Sequence, residues 1–169
     1  MTDAKLKIII ADENSTWGNA AAENAAHGSF LSEYEIVNMT YAAAKTALTG
    51  RNPFAALVTD HSTDLKSYHP DAKDGLGLVA HARLIEATRR TAGYTVRAKA
   101  IVLLLTSGPD DSMSAELEGL GVVWRVKPIR LLEIKDALAN AFAIAASPEA
   151  SPKLQECRLK TANLLRREL

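Results

Sequence analysis

Residues 54–64 read FAALVTDHSTD. An apolar run stops on an acid, Asp60, and a histidine, two hydroxyl residues and a second acid, Asp64, follow it. A strand of a parallel sheet reads this way: it is continuously apolar because both of its faces are covered, and it turns polar where it leaves the sheet. Asp60 is then a solvated strand end, a metal ligand or a nucleophile. The ends of the other strands have to separate these.

Three further runs have the same character: LKIIIA (6–11), AIVLLLT (100–106) and GVVWRV (121–126). A fourth, EYEIVNMT (33–40), alternates and reads as an edge strand. Helical patterns fall between them. The stretch 15–31 is Ala-rich and opens on a Ser/Thr cap, and 42–50 stops at Gly50 with Pro53 beyond it. The stretch 75–93 sets Leu76, Val79, Leu84 and Ala87 toward one face. In 109–121, Pro109 takes the first helical position and two acids occupy the positive end of the helix dipole. The stretch 129–146 spaces its apolar residues at three and four. Strands alternating with helices imply right-handed crossovers. The chain is therefore expected to form an α/β, flavodoxin-like, doubly wound domain over residues 1–146, a five-stranded parallel sheet of order 2-1-3-4-5 with helices on both faces.

After Ala146 the composition changes. SPEASP (147–152) reads as a linker, and 153–169 as a charged C-terminal helix, so that 147–169 form an extension. Residues 151–169 carry five basic and two acidic side chains. The whole chain balances 20 basic against 20 acidic residues, which advertises neither nucleic acid nor an anionic membrane. The single cysteine, Cys157, cannot form an internal disulfide and fits a reducing compartment. With no signal-peptide core and no span long enough for a bilayer, the expected location is the cytoplasm.

In an open parallel sheet the site lies beyond the carboxyl ends of the strands. The first strand delivers Asp12 and Glu13 there, the third Asp60, the fourth Thr106 and Ser107, and the fifth Lys127 ahead of Pro128. Clustered carboxylates must protonate or recruit a cation, and oxygen donors without His or Cys suit Mg²⁺. A lysine and small hydroxyls can hold an incoming anion. Together these are the means of phosphoryl transfer to a carboxylate, with Asp60 as the attacking group.

The four motifs ADEN (11–14), LVTDHS (57–62), LLTSG (104–108) and RVKPI (125–129) occur in the order of the receiver domains of two-component response regulators, and the chain resembles that family from about residue 5 to about 146. DGLGLV (74–79) is similar to the Asp-Gly-Leu opening of the family's third helix. The resemblance implies that Asp60 is the phosphoacceptor and that Thr106 and Lys127 bind the phosphoryl group. It implies that Asp12, Glu13, Asp60 and the backbone carbonyl of Ser62 hold Mg²⁺. Thr106 and Trp124 would act as the switch, reshaping the surface formed by 109–146 on phosphorylation. A sensor histidine kinase or a histidine phosphotransfer protein would be the donor. A downstream protein or output domain would be the recipient, with a homodimer through 109–146 as a family expectation. Such a chain phosphorylates and dephosphorylates itself but is not a turnover enzyme.

Two features depart from the family. Ser62-Thr63-Asp64 stands where Met-Pro is usual, and the segment from His61 to Lys73 is long and rich in His, Tyr, Pro and Asp. They support an alternative, a pseudo-receiver that binds partners without phosphorylation. A haloacid-dehalogenase-like phosphatase is set aside, because Asp-x-Asp-x-Thr is found in neither ADENST nor TDHSTD.

Overall fold

The computed structural model describes residues 5–11, 34–50, 54–61, 75–94, 98–105, 108–127 and 131–146, with only the backbone of His61 and Leu131. Five strands form one parallel sheet: β1 (Lys7–Ala11), β2 (Glu35–Met39), β3 (Phe54–His61), β4 (Ala100–Leu105) and β5 (Val122–Val126). Their order is β2-β1-β3-β4-β5, as the alternation of elements predicts. Four helices are described: α1 (Tyr41–Thr49), α2 (Gly75–Thr91), α3 (Asp111–Gly119) and α4 (Leu131–Ala146). The helix predicted over 15–31 and the extension 147–169 lie outside the described residues.

Side chains along a strand alternate between faces, and the sheet sorts them into two cores. Ile9, Leu57, Ile101 and Leu103 pack with Ala44 and Leu48 of α1, Leu76 and Val79 of α2, and Leu117 of α3. Ile8, Ile10, Val58, Val102 and Leu104 pack on the other face with Ile134, Ala137, Leu138 and Ala141 of α4. Every residue of β4 is buried, which explains its unbroken apolar sequence. Each Leu or Ile so placed contributes about 1.5–3 kcal/mol. The edge strand β2 buries none of its residues fully, in keeping with its alternating sequence.

Local chemistry sets the helix ends. Thr40 caps α1, its hydroxyl accepting from the Ala43 amide at 3.2 Å. The start of α3 differs from expectation. Asp110 is the cap, its carboxylate accepting from the Met113 amide at 2.8 Å, so the helix begins at Asp111 and Pro109 stands before the cap. A carboxylate that satisfies a free helix amide outcompetes the mere tolerance of proline in the first turn. Gly121, at φ 66°, turns the chain from α3 into β5 in a conformation that disfavours side chains. On α2 the buried face includes Arg83 and Glu86, and Leu84 is only partly buried.

Candidate functional site

β3 carries Asp60 to the carboxyl edge on a rigid base. Val58 and Thr59 are fully buried. Thr59 pairs with Ala11 of β1, and Asp60 pairs with Leu104 of β4. The backbone of Asp60 is also hemmed in by α2. A Cβ on Gly75, the first residue of that helix, would lie 2.0 Å from the Asp60 carbonyl oxygen and 3.0 Å from Thr59 Oγ1. Only glycine lets the helix start this close to the strand. The Asp-Gly-Leu sequence that marks this helix start therefore has a steric cause at its second residue.

Three side chains meet at the Asp60 carboxylate and carbonyl. Lys127 follows β5, and its amide continues the ladder by donating to the Leu105 carbonyl at 2.8 Å. Its Nζ reaches Asp60 Oδ2 at 3.2 Å. Tyr41, the first residue of α1, buries its ring in the core and directs its hydroxyl over the end of the sheet. That hydroxyl donates to Asp60 Oδ1 and lies 3.1 Å from the Asp60 carbonyl oxygen. Thr59 Oγ1 also approaches this carbonyl, at 3.3 Å. The carboxylate thus has one donor on each oxygen, and it retains access to solvent.

The structure therefore brings Asp60 and Lys127 together. Trp124 lies on β5 in register with Leu103, partly buried against the core of the α1–α3 face. It lines an open groove with Ser114 and Glu118 of α3, and among the described contacts none joins it to Asp60. Asp12, Glu13, Ser62 and Thr106 lie outside the described residues. The residues that precede two of them are described. Ala11, which precedes Asp12, pairs with Thr59, which precedes Asp60; Leu105, which precedes Thr106, pairs with His61. Among the described residues no cluster of three or more potential ligands gathers, and the site's one acidic side chain is Asp60. The Asp60 carboxylate supplies oxygen donors of the kind that hard ions such as Mg²⁺ prefer.

Tyr41 is the member of the site that sequence reading misses. The available signal is faint: an aromatic directly after a threonine cap, at the carboxyl end of a strand, opening an Ala-rich helix.

No family model matches the chain, and no curated protein matches it either. Solved structures do. A response regulator receiver protein from Sinorhizobium medicae is similar with a TM-score of 0.58 at 16% identity, over 86% of this chain and 99% of the other. A pilus assembly protein from Caulobacter crescentus gives 0.54 at 14% identity, over 85% and 96%. A chemotaxis protein from Vibrio cholerae gives 0.52 at 18% identity, over 82% and 99%. At these identities the likeness establishes the fold, which is that of a response-regulator receiver domain.

Proposed function

We propose that the chain is a response-regulator receiver, in which Asp60 accepts a phosphoryl group from a phosphohistidine donor and so alters a protein-binding surface. The observation that carries this reading is the Asp60 carboxylate, held at the carboxyl edge of a receiver fold and paired with Lys127 at 3.2 Å. In the transfer, an Asp60 oxygen forms a bond to phosphorus while the donor's P–N bond breaks, and the electron pair stays on the donor imidazole. The carboxylate loses its charge in the new bond, and the transferred group brings the negative charge of its own phosphoryl oxygens to the site. Lys127 stays close enough to offset it.

Thr106 would hydrogen-bond the phosphoryl group, and with Trp124 it would relay the change to the surface formed by α3, β5 and α4. Asp12, Glu13, Asp60 and the Ser62 carbonyl would hold Mg²⁺, which when bound neutralises charge on the phosphoryl oxygens. The donor would be a sensor histidine kinase or a histidine phosphotransfer protein. The recipient would be a downstream protein or an output domain, with self-association of the chain as a further means of output. The reaction is a single self-modification rather than turnover, and it belongs in the cytoplasm. Among the described residues no helix is long and apolar enough to cross a membrane.

The test is incubation with Mg²⁺ and acetyl phosphate, read by intact mass. A single base-labile phosphate on the wild type, absent from Asp60→Asn, is the expected result. No adduct on the wild type, or an undiminished one on the variant, would remove the reading. A pseudo-receiver is the second reading, favoured by the Tyr41 hydroxyl already seated on Asp60 Oδ1. It expects no adduct, with partner binding the same in wild type and Asp60→Asn.

A further inference from the structure

We infer that Tyr41 is a latch on Asp60: its hydroxyl holds the unmodified carboxylate, slows phosphoryl transfer, and is released when the transfer occurs. The inference deepens the phosphoacceptor reading and rests on it.

The Asp60 carboxylate has two oxygens, and each already has a donor, Tyr41 on Oδ1 and Lys127 on Oδ2. The two donors differ in what they do during the reaction. Lys127 is a cation on a flexible stem and can turn from the carboxylate to the anionic oxygens of the arriving phosphoryl group. Tyr41 is neutral, its ring is buried in the core, and its hydroxyl is matched to the carboxylate as it stands before reaction. A hydrogen bond to a charged group is among the stronger ones. Once Asp60 becomes an acyl phosphate its own oxygens are no longer anionic, and the hydroxyl loses most of that bond. Stabilisation present in the ground state and weakened in the transition state raises the barrier.

The latch also has somewhere to send its signal. Tyr41 opens α1 directly after its Thr40 cap, and the preceding strand, β2, is an edge of the sheet. Release of the hydroxyl would register at the first turn of α1, on the opposite side of the sheet from β5.

Tyr41→Phe removes the hydroxyl and keeps the ring that packs in the core. With acetyl phosphate and Mg²⁺, the variant should form the Asp60 adduct roughly tenfold faster than the wild type, the change expected from losing one charge-assisted hydrogen bond of ground-state stabilisation. An equal or slower rate overturns the latch. A second measurement does not depend on turnover or on the variant's folding. The wild type should show a slowly exchanging, downfield hydroxyl proton by NMR that disappears when beryllofluoride and Mg²⁺ occupy Asp60. Persistence of that proton with beryllofluoride bound also overturns the latch. If neither protein forms an adduct while the proton is present, the contact between Tyr41 and Asp60 stands and the phosphoacceptor reading falls, taking the latch with it. If both proteins form the adduct at one rate, the phosphoacceptor reading survives and the latch alone is lost.

Discussion

Helix α2 runs between two carboxylates that the fold treats in opposite ways. At its start, Gly75 abuts Asp60, whose side chain keeps 18% of its surface exposed and pairs with a Lys127 that is 33% exposed. Three turns later Glu86 is 1% exposed and its partner Arg83 is 3% exposed. There, at the amino edge of the sheet, donors and acceptors are saturated. Arg83 Nη1 lies 3.0 Å from both Glu86 oxygens and from the Lys99 carbonyl, and Nε donates to the Leu120 carbonyl at 2.8 Å. The Lys99 amide donates to Glu86 Oε1 at 2.9 Å. This network ties α2 to the turns that enter β4 and β5. Lys99 adds a bond from Nζ to the Phe54 carbonyl at 3.1 Å and sits over the Phe54 ring. Burial lowers the pKa of Lys99, and the Glu86 charge partly restores it. The contrast separates structure from chemistry. Glu86 is surrounded by fixed partners, whereas Asp60 has fewer among the described residues and keeps part of its carboxylate exposed.

Breaking the saturated network should have the largest effect. Glu86→Gln or Arg83→Met leaves a charge buried without its partner, and such losses cost about 3–5 kcal/mol. Urea denaturation should show that drop in either variant, with the remaining folded protein still reacting at Asp60. A loss of less than about 1 kcal/mol would mean that the network is no more structural than a surface ion pair.

Next comes the junction between α2 and the reactive end. Gly75→Ala forces a methyl into the Asp60 carbonyl, so the helix start or the strand end must move, at a cost of about 1–3 kcal/mol. Unlike Glu86→Gln, this variant should also change the rate of phosphate uptake, because the backbone that gives way is that of Asp60. An unchanged rate would show that the helix start moves instead.

Between the two ends, His81 on α2 tests what incomplete satisfaction costs. Its Nε2 is buried and finds no partner among the described residues. Burial is the main cause that lowers its pKa below the ordinary 6.5; the Lys45 charge adds to it, and a hydrogen bond to the Lys45 backbone opposes it. The unfolded chain then takes up the proton more readily than the folded one. His81's contribution is complete above the unfolded pKa and is lost as pH falls from there toward the lowered folded value. Wild type should lose more stability than His81→Leu between about pH 7 and pH 5, by at most about 1.4 kcal/mol per pH unit. Parallel stability curves for the two proteins would contradict this.

How much of this is legible in the sequence follows from how local each signal is. The sheet and its order follow from β-branched runs spaced by helical patterns. Asp60 and Lys127 are visible because each directly follows an apolar run, so covalent connectivity alone carries them to the same edge. Tyr41 escapes because its hydroxyl crosses the end of β1 to reach a residue 19 positions away, and no periodicity encodes that reach. Arg83 and Glu86 escape for a related reason. On a helix, two charges three apart usually mark a solvated face, and these are buried because backbone carbonyls at Lys99, Leu120 and Gly121 surround them. Backbone acceptors leave no trace in residue identities. The same limit explains Pro109, since the Asp110 carboxylate takes the cap that proline was expected to follow.

The smallest effect on stability should accompany the largest effect on chemistry. Lys127 and Asp60 form a part-exposed ion pair at 3.2 Å, and such pairs contribute about 0–1 kcal/mol. Lys127→Met should therefore shift the urea midpoint only slightly, and the shift should shrink further in about 0.5 M salt as the charges are screened. The Arg83–Glu86 pair, being buried, should keep its contribution in the same salt. In acetyl phosphate and Mg²⁺, Lys127→Met should nevertheless form the Asp60 adduct at least about tenfold more slowly, because the cation that offsets the transferred charge is gone. A variant that loses several kcal/mol and keeps its reactivity would reverse the contrast between the two ends of α2, making Lys127 a structural partner and Asp60 an acid held in place for packing.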